Sequence, residues 1–219
     1  MHRLLFEKVG NGVYISHLDL MRLFQRAFKR GGLNLKHTQG FTPRALVSIA
    51  LPLSVGVESV CEILDYELDG QAFPHEEIVE RLNATMPEGV RVLASYESNY
   101  KVKNLAKLRV SIALEYDRGI PDNTVEEITA LFSRDSILVE KKGKNGPVQQ
   151  DIIPMMSDLT VCALNENEVK LSVIVCAQNP TLNPQQLIAA IEANIPVYKP
   201  DFARIRREET LFPDGTVFR

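Results

Sequence analysis

Three cysteines in 219 residues, Cys61, Cys162 and Cys176, leave this chain little sulfur chemistry to work with. Their odd number and wide spacing exclude a disulfide framework and fit reduced, half-buried thiols. An iron-sulfur cluster held through C-x3-C-x2-C needs three thiolates converging on one centre, and no cysteines here are so closely spaced. The four histidines, His2, His17, His37 and His75, show no H-x3-H or Cys/His spacing, so neither a metal nor a cofactor is expected. Phosphate-loop and dinucleotide fingerprints are absent too: KKGKNGPVQQD at 141–151 has lysines and glycines but lacks G-x4-G-K-[ST]. There is no run of 18 apolar residues to cross a membrane, and Arg3, Glu7 and Lys8 interrupt the first apolar stretch where a signal peptide needs continuity. A cytoplasmic location is the expectation.

What is present is a charge dipole. The net charge of −3 conceals it: residues 1–50 carry 8 Lys and Arg against 2 Asp and Glu, whereas residues 51–100 carry 2 against 10. A basic segment on an otherwise acidic chain bears on partners rather than on fold. Its centre is a helix. Ser16 followed by Asp19 fits the capping box and starts it at His17, and Gly31 with Gly32 ends it. At 100° per residue, Leu20, Met21, Leu23, Phe24, Ala27 and Phe28 share one face, while Asp19, Arg22, Gln25, Arg26, Lys29 and Arg30 share the other. Lys36, His37 and Arg44 follow directly with Phe41 among them. Cations interleaved with an aromatic suit a nucleic-acid surface, so Arg22, Arg26, Lys29, Arg30, Lys36, His37, Phe41 and Arg44 are the expected RNA contacts. The competing reading is a solvated face with Asp19 paired to Arg22, worth only about 0.3 to 0.5 kcal/mol.

Three runs carry a family resemblance: SHLDLMRLFQRAFKRGGL from Ser16 to Leu33, QGFTPR from Gln39 to Arg44, and LPLSVGVES from Leu51 to Ser59. In these the chain resembles a bacterial family of domains of unknown function linked to radical SAM proteins, as a neighbouring gene product or as a fusion. The resemblance implies a cytoplasmic protein acting beside a radical SAM enzyme, with ribonuclease G and large-subunit ribosomal proteins as gene neighbours. With no cluster motif in this chain, the iron would belong to the partner, and the isolated chain is expected to be colourless and unable to cleave SAM.

Element order suggests a structural duplication. Residues 2–9 read as a strand, 17–30 as a helix, 45–52 and 60–68 as strands, 75–85 as a helix and 90–97 as a strand. The second half reads similarly. Strand 107–116 alternates Leu108, Val110, Ile112, Leu114 and Tyr116 against Arg109, Ser111, Ala113, Glu115 and Asp117. Helix 123–132 follows, then strands near 136–141, 158–164 and 168–177, a helix opened by Pro184, and strand 202–211. The expected class is α+β: two tandem ferredoxin-like βαββαβ units forming an extended antiparallel sheet with helices on one face. The polar stretch Ser98 to Asn104 divides the domains at 1–103 and 104–219. This architecture is shared with tRNA pseudouridine synthases of the TruA type, but their arginine-threonine-aspartate-glycine motif is missing here.

Three weaker features bear on chemistry. His17 and Asp19 stand at the helix N-terminus, where an anion or a positioned base is favoured, although a simple capping role also accounts for Asp19. Asp151 follows the basic loop and reads equally well as a turn carboxylate. Arg204, Arg206 and Arg207 lie along the last strand and read as charges that discourage edge pairing. Function then falls into three classes. The first is a noncatalytic RNA-binding or substrate-presenting partner of a radical SAM enzyme, working on ribosomal or transfer RNA. The second is an RNA-modifying enzyme using Asp19 or Asp151. The third is a protein-interaction subunit docking through the basic face.

Overall fold

The computed structural model describes residues 1–70, 72–143 and 146–219. The chain divides into two compact units, Met1–Asn104 with Arg219, and Leu105–Phe218. Within each, strands pair antiparallel.

The first unit runs β1 (His2–Lys8), α1 (His17–Arg30), β2 (Val47–Ile49), β3 (Glu58–Tyr66), α2 (His75–Asn83) and β4 (Val90–Glu97). Its sheet order is β4-β1-β3-β2. Alternation decides which side of each strand enters the core. Leu4 and Phe6 of β1, Leu64 and Tyr66 of β3, and Val90 and Val92 of β4 all join one buried cluster. The same cluster takes Leu20, Phe24, Ala27 and Phe28 from α1 and Ile78 and Leu82 from α2, so both helices cover one face of this sheet. The Phe6 and Phe24 rings meet edge-on at 4.7 Å between centroids, pinning helix to strand.

One tight approach closes the end of this sheet. The Val9 N–H donates to Gly89 O at 2.8 Å, just before β4, and Gly12 N–H donates to Val9 O at 3.0 Å. Gly89 has φ +85°, and a Cβ there would stand 2.5 Å from both Gly12 N and Val9 O. Backbone cannot yield as a flexible side chain can. Gly89→Ala is therefore expected to destabilise the protein by about 1 to 3 kcal/mol, read as a lower urea midpoint; an unchanged midpoint would refute the packing described.

The second unit runs β5 (Lys107–Glu115), α3 (Thr124–Phe132), β6 (Leu138–Gly143), β7 (Gly146–Asp151), β8 (Met156–Asn165), β9 (Glu168–Cys176), α4 (Gln185–Asn194) and β10 (Phe202–Leu211). Its main sheet is ordered β10-β5-β9-β8. Leu108, Val110, Ile112 and Leu114 of β5 are buried, as are Val169, Leu171, Val173 and Val175 of β9. Setting the β6–β7 ribbon aside, both units share the order βαββαβ and the same strand neighbours.

The ribbon is where the sequence reading needs correction. Residues 146–151 pair with 138–143, so this segment of KKGKNGPVQQD is strand rather than loop. Gly146 to Gln149 are exposed, which removes the period-2 burial by which strands are recognised. Lys144 and Asn145 of the same run lie outside the described residues. Cys61 is buried, Cys176 half-buried and Cys162 exposed, so half-burial holds for one thiol of the three. Among the described residues no helix is long and apolar enough to cross a membrane, and no group of three His, Cys, Asp or Glu side chains could hold a metal ion.

Candidate nucleic-acid interface

The basic helix is fixed at both ends by its own sequence. Ser16 Oγ accepts the Asp19 N–H at 3.2 Å and donates its hydroxyl to Asp19 Oδ2 at 2.7 Å. At the other end Gly32 adopts φ +71°, Leu33 N–H donates to Phe28 O at 2.9 Å, and Gly32 N–H donates to Lys29 O at 3.2 Å. This is a Schellman closure, with Leu33 and Phe28 buried together beneath it. The apolar face is thereby held against the sheet, and Arg22, Arg26, Lys29 and Arg30 remain exposed on the outside. Arg22 is partly spent on Asp19, at 3.1 Å. Among the described residues, Arg26, Lys29 and Arg30 have no carboxylate at ion-pair distance.

The following segment folds back on itself as a narrow loop. Lys36 N–H donates to Glu67 O at 2.9 Å, Leu46 N–H to Lys36 O at 2.7 Å, and Thr38 N–H to Arg44 O at 2.8 Å. Arg44 N–H returns a bond to Thr38 Oγ1 at 3.0 Å. These bonds close the stem and present residues 39–43 as a tip on which the Phe41 ring is fully exposed. Burying that ring against a partner would remove one of the largest apolar surfaces the chain shows to water. Lys36 belongs less to the cation set than its spacing suggests, because its Nζ lies 3.1 Å from Glu67 Oε2. His37 and Arg44 stay exposed.

Helix and loop meet along a groove of about 470 Å³. Leu33, Leu35 and Ala45 supply its apolar lining. Gln25, Lys29, Asn34 and His37 supply its polar lining. Two predicted contacts, Lys29 and His37, are thus brought to one concavity. Gln25 and Asn34 are not legible as contacts in the sequence, since an uncharged amide on a helix face or in a turn carries no signal until a groove wall surrounds it.

The family described as "Uncharacterized protein conserved in bacteria (DUF2344)" matches residues 2–184. The chain belongs to this family. No curated protein matches it in sequence. Among solved structures, "Crystal Structure of a Cbf5-Nop10-Gar1 Complex" is similar with a TM-score of 0.52 and 12% identity, covering 95% of this chain and 48% of that one. This chain therefore spans about half the length of that neighbour, and the likeness is one of fold. "Crystal Structure of an Unknown Protein from Galdieria sulphuraria" aligns over 94% of this chain and 95% of that one, at 12% identity and a TM-score of only 0.26.

In this DUF2344 member the acidic candidates sit in structural roles. The Ser16 hydroxyl and then the Arg22 guanidinium hold the Asp19 carboxyl below its usual range. Asp151 accepts N–H bonds from Ile137 at 3.1 Å and Ile153 at 3.2 Å at the foot of the β6–β7 ribbon, and the Ile137 bond leads in lowering its pKa. A carboxyl kept ionised in this way is a weak base and no acid near neutral pH. His17 is half-buried in the first turn, and its Nδ1 meets no hydrogen-bond partner among the described residues. Asp151 lies in the second unit, His17 and Asp19 in the first. On β10, Arg204 reaches Glu115 at 2.9 Å and Glu168 at 3.6 Å, and Arg206 reaches Glu208 at 3.4 Å, so both have carboxylate partners.

Proposed function

We propose that this protein is a noncatalytic RNA-binding or substrate-presenting module that works beside a radical SAM enzyme in the cytoplasm, on ribosomal or transfer RNA. One observation carries the RNA part: Arg26, Lys29, Arg30 and Arg44 are exposed without an ion-pair partner among the described residues, next to a fully exposed Phe41 on a bonded loop. Uncompensated cations give affinity for phosphate, and an exposed ring gives a base somewhere to stack. The radical SAM partner is supported by the motifs at 16–33, 39–44 and 51–59. We read each unit as a ferredoxin-like domain, with the division at 103/104, because each has the βαββαβ order and the β4-β1-β3-β2 type of strand neighbourhood. The structural commitments of Asp19 and Asp151 support a binding role over a catalytic one.

Crosslinking the purified chain to total RNA, followed by sequencing of what is recovered, tests the ligand class and its identity together. Enrichment of ribosomal or transfer RNA is expected; recovery at background level would give the basic face to an acidic protein partner instead. Phe41→Ala is expected to weaken RNA binding by about 1 to 3 kcal/mol while leaving the dependence on salt unchanged, because stacking releases no counterions. Binding isotherms at several salt concentrations read both quantities, and parent-like affinity would remove the ring from the interface.

A further inference from the structure

The groove between α1 and the loop stem has a composition that phosphate contacts alone do not require. Its lining is apolar at Leu33, Leu35 and Ala45, and two amides, Gln25 and Asn34, stand beside that surface. Neither amide side chain makes a hydrogen bond among the described residues. Lys29 lines the same space, and Phe41 lies four residues beyond His37 on the same loop. We infer that this groove receives one unpaired nucleobase of a single-stranded RNA segment, with Gln25 and Asn34 bonding its edge and Lys29 meeting its phosphate.

The inference rests on the RNA reading above and narrows it. A base in a duplex has its Watson–Crick edge occupied and its faces stacked, and the A-form major groove is too narrow for side chains to read. Only a splayed base can bring a flat apolar face onto Leu35 and Ala45 while offering donors and acceptors to an amide, which carries two of each. Lys29 on the wall supplies the charge complementarity that an uncharged ligand or an acyl chain would not use.

The test compares the full chain bound to a short unstructured single-stranded RNA and to the same sequence annealed to its complement. The single strand is expected to bind about fivefold tighter or more, the size of one good base contact. Gln25→Ala with Asn34→Ala is expected to reduce that preference about fivefold, leaving only what Phe41 stacking supplies, without moving the salt slope or the melting temperature, both residues being exposed. Ala45→Leu, which adds bulk to the groove and leaves the amides alone, is expected to do the same. Equal binding of strand and duplex by the parent, or a preference undiminished in the variants, overturns the base site and leaves RNA binding standing. Binding of neither RNA overturns both.

Discussion

Arg3→Ala is expected to be the most damaging single change in the first unit, costing about 3 to 5 kcal/mol of stability. Arg3 stands on β1 directly opposite Asp65 on β3, and its side chain has no exposed surface. Nε donates to Asp65 Oδ1 at 2.6 Å and Nη2 to Asp65 Oδ2 at 3.1 Å, a two-pronged contact that lysine cannot reproduce. Nη1 donates to Ser98 Oγ at 2.9 Å and Nη2 also donates to Tyr100 O at 2.8 Å. Removing the guanidinium strands a buried carboxylate, whereas the Ser98 hydroxyl keeps its bonds to Arg219 O and the Tyr100 N–H, and the penalty at Asp65 exceeds the net value of the pair itself. The double change Arg3→Met with Asp65→Leu should consequently be much milder than Arg3→Ala, since it leaves no unpaired charge. Urea unfolding of the single and double variants measures both. A single-variant loss below about 1 kcal/mol, the range of exposed pairs, would mean that the pair is solvated.

That ion pair also marks where sequence reading stops. Arg3 and Asp65 are 62 residues apart, and a charged residue on a strand reads as solvent-facing until its partner is known. The same blindness applies to Lys8, which is fully buried and donates to Val13 O at 3.0 Å. Local features were far more legible. The Ser16 and Gly31–Gly32 ends of α1 are written in neighbouring residues, as is the alternation of Leu108, Val110, Ile112 and Leu114, because caps and pleats act over a few positions. β7 escaped because a two-stranded ribbon with an exposed strand buries too little to impose a pattern. Of the interface, charge on α1 was visible and its neutralisation was not. Lys36 looked equal to Lys29 in sequence, yet Glu67, brought beside it by the backbone bond from Lys36 to residue 67, sets the two apart. Sequence likewise shows a loop with an aromatic residue, but only the Thr38–Arg44 bonds show that Phe41 is held outward.

The uncompensated cations give the largest expected effect on binding. Each phosphate contact on a single strand contributes about 0.7 to the slope of log affinity against log salt. Changing Arg26, Lys29, Arg30 and Arg44 together to Ala should flatten the slope by about 3 units and lower affinity on the order of 10²-fold near 0.1 M salt. Arg22→Ala serves as the internal comparison. It removes a cation of the same helix but also releases Asp19, whose carboxylate is at 3.1 Å, so its effect on RNA should reflect a charge already half-spent. Stability should suffer little at Arg26 and Arg44, within about 0.5 kcal/mol per site. Lys29 and Arg30 lie in the last turn of α1, where they also oppose the helix dipole, and each loss there should cost about 0.3 to 1 kcal/mol. The protein must therefore remain folded at 25 °C while it loses RNA, a separation that circular dichroism and binding isotherms on one preparation can establish. Parent-like affinity and slope in the fourfold variant would show that RNA does not use this face, and an acidic protein surface would then be the ligand its charges fit.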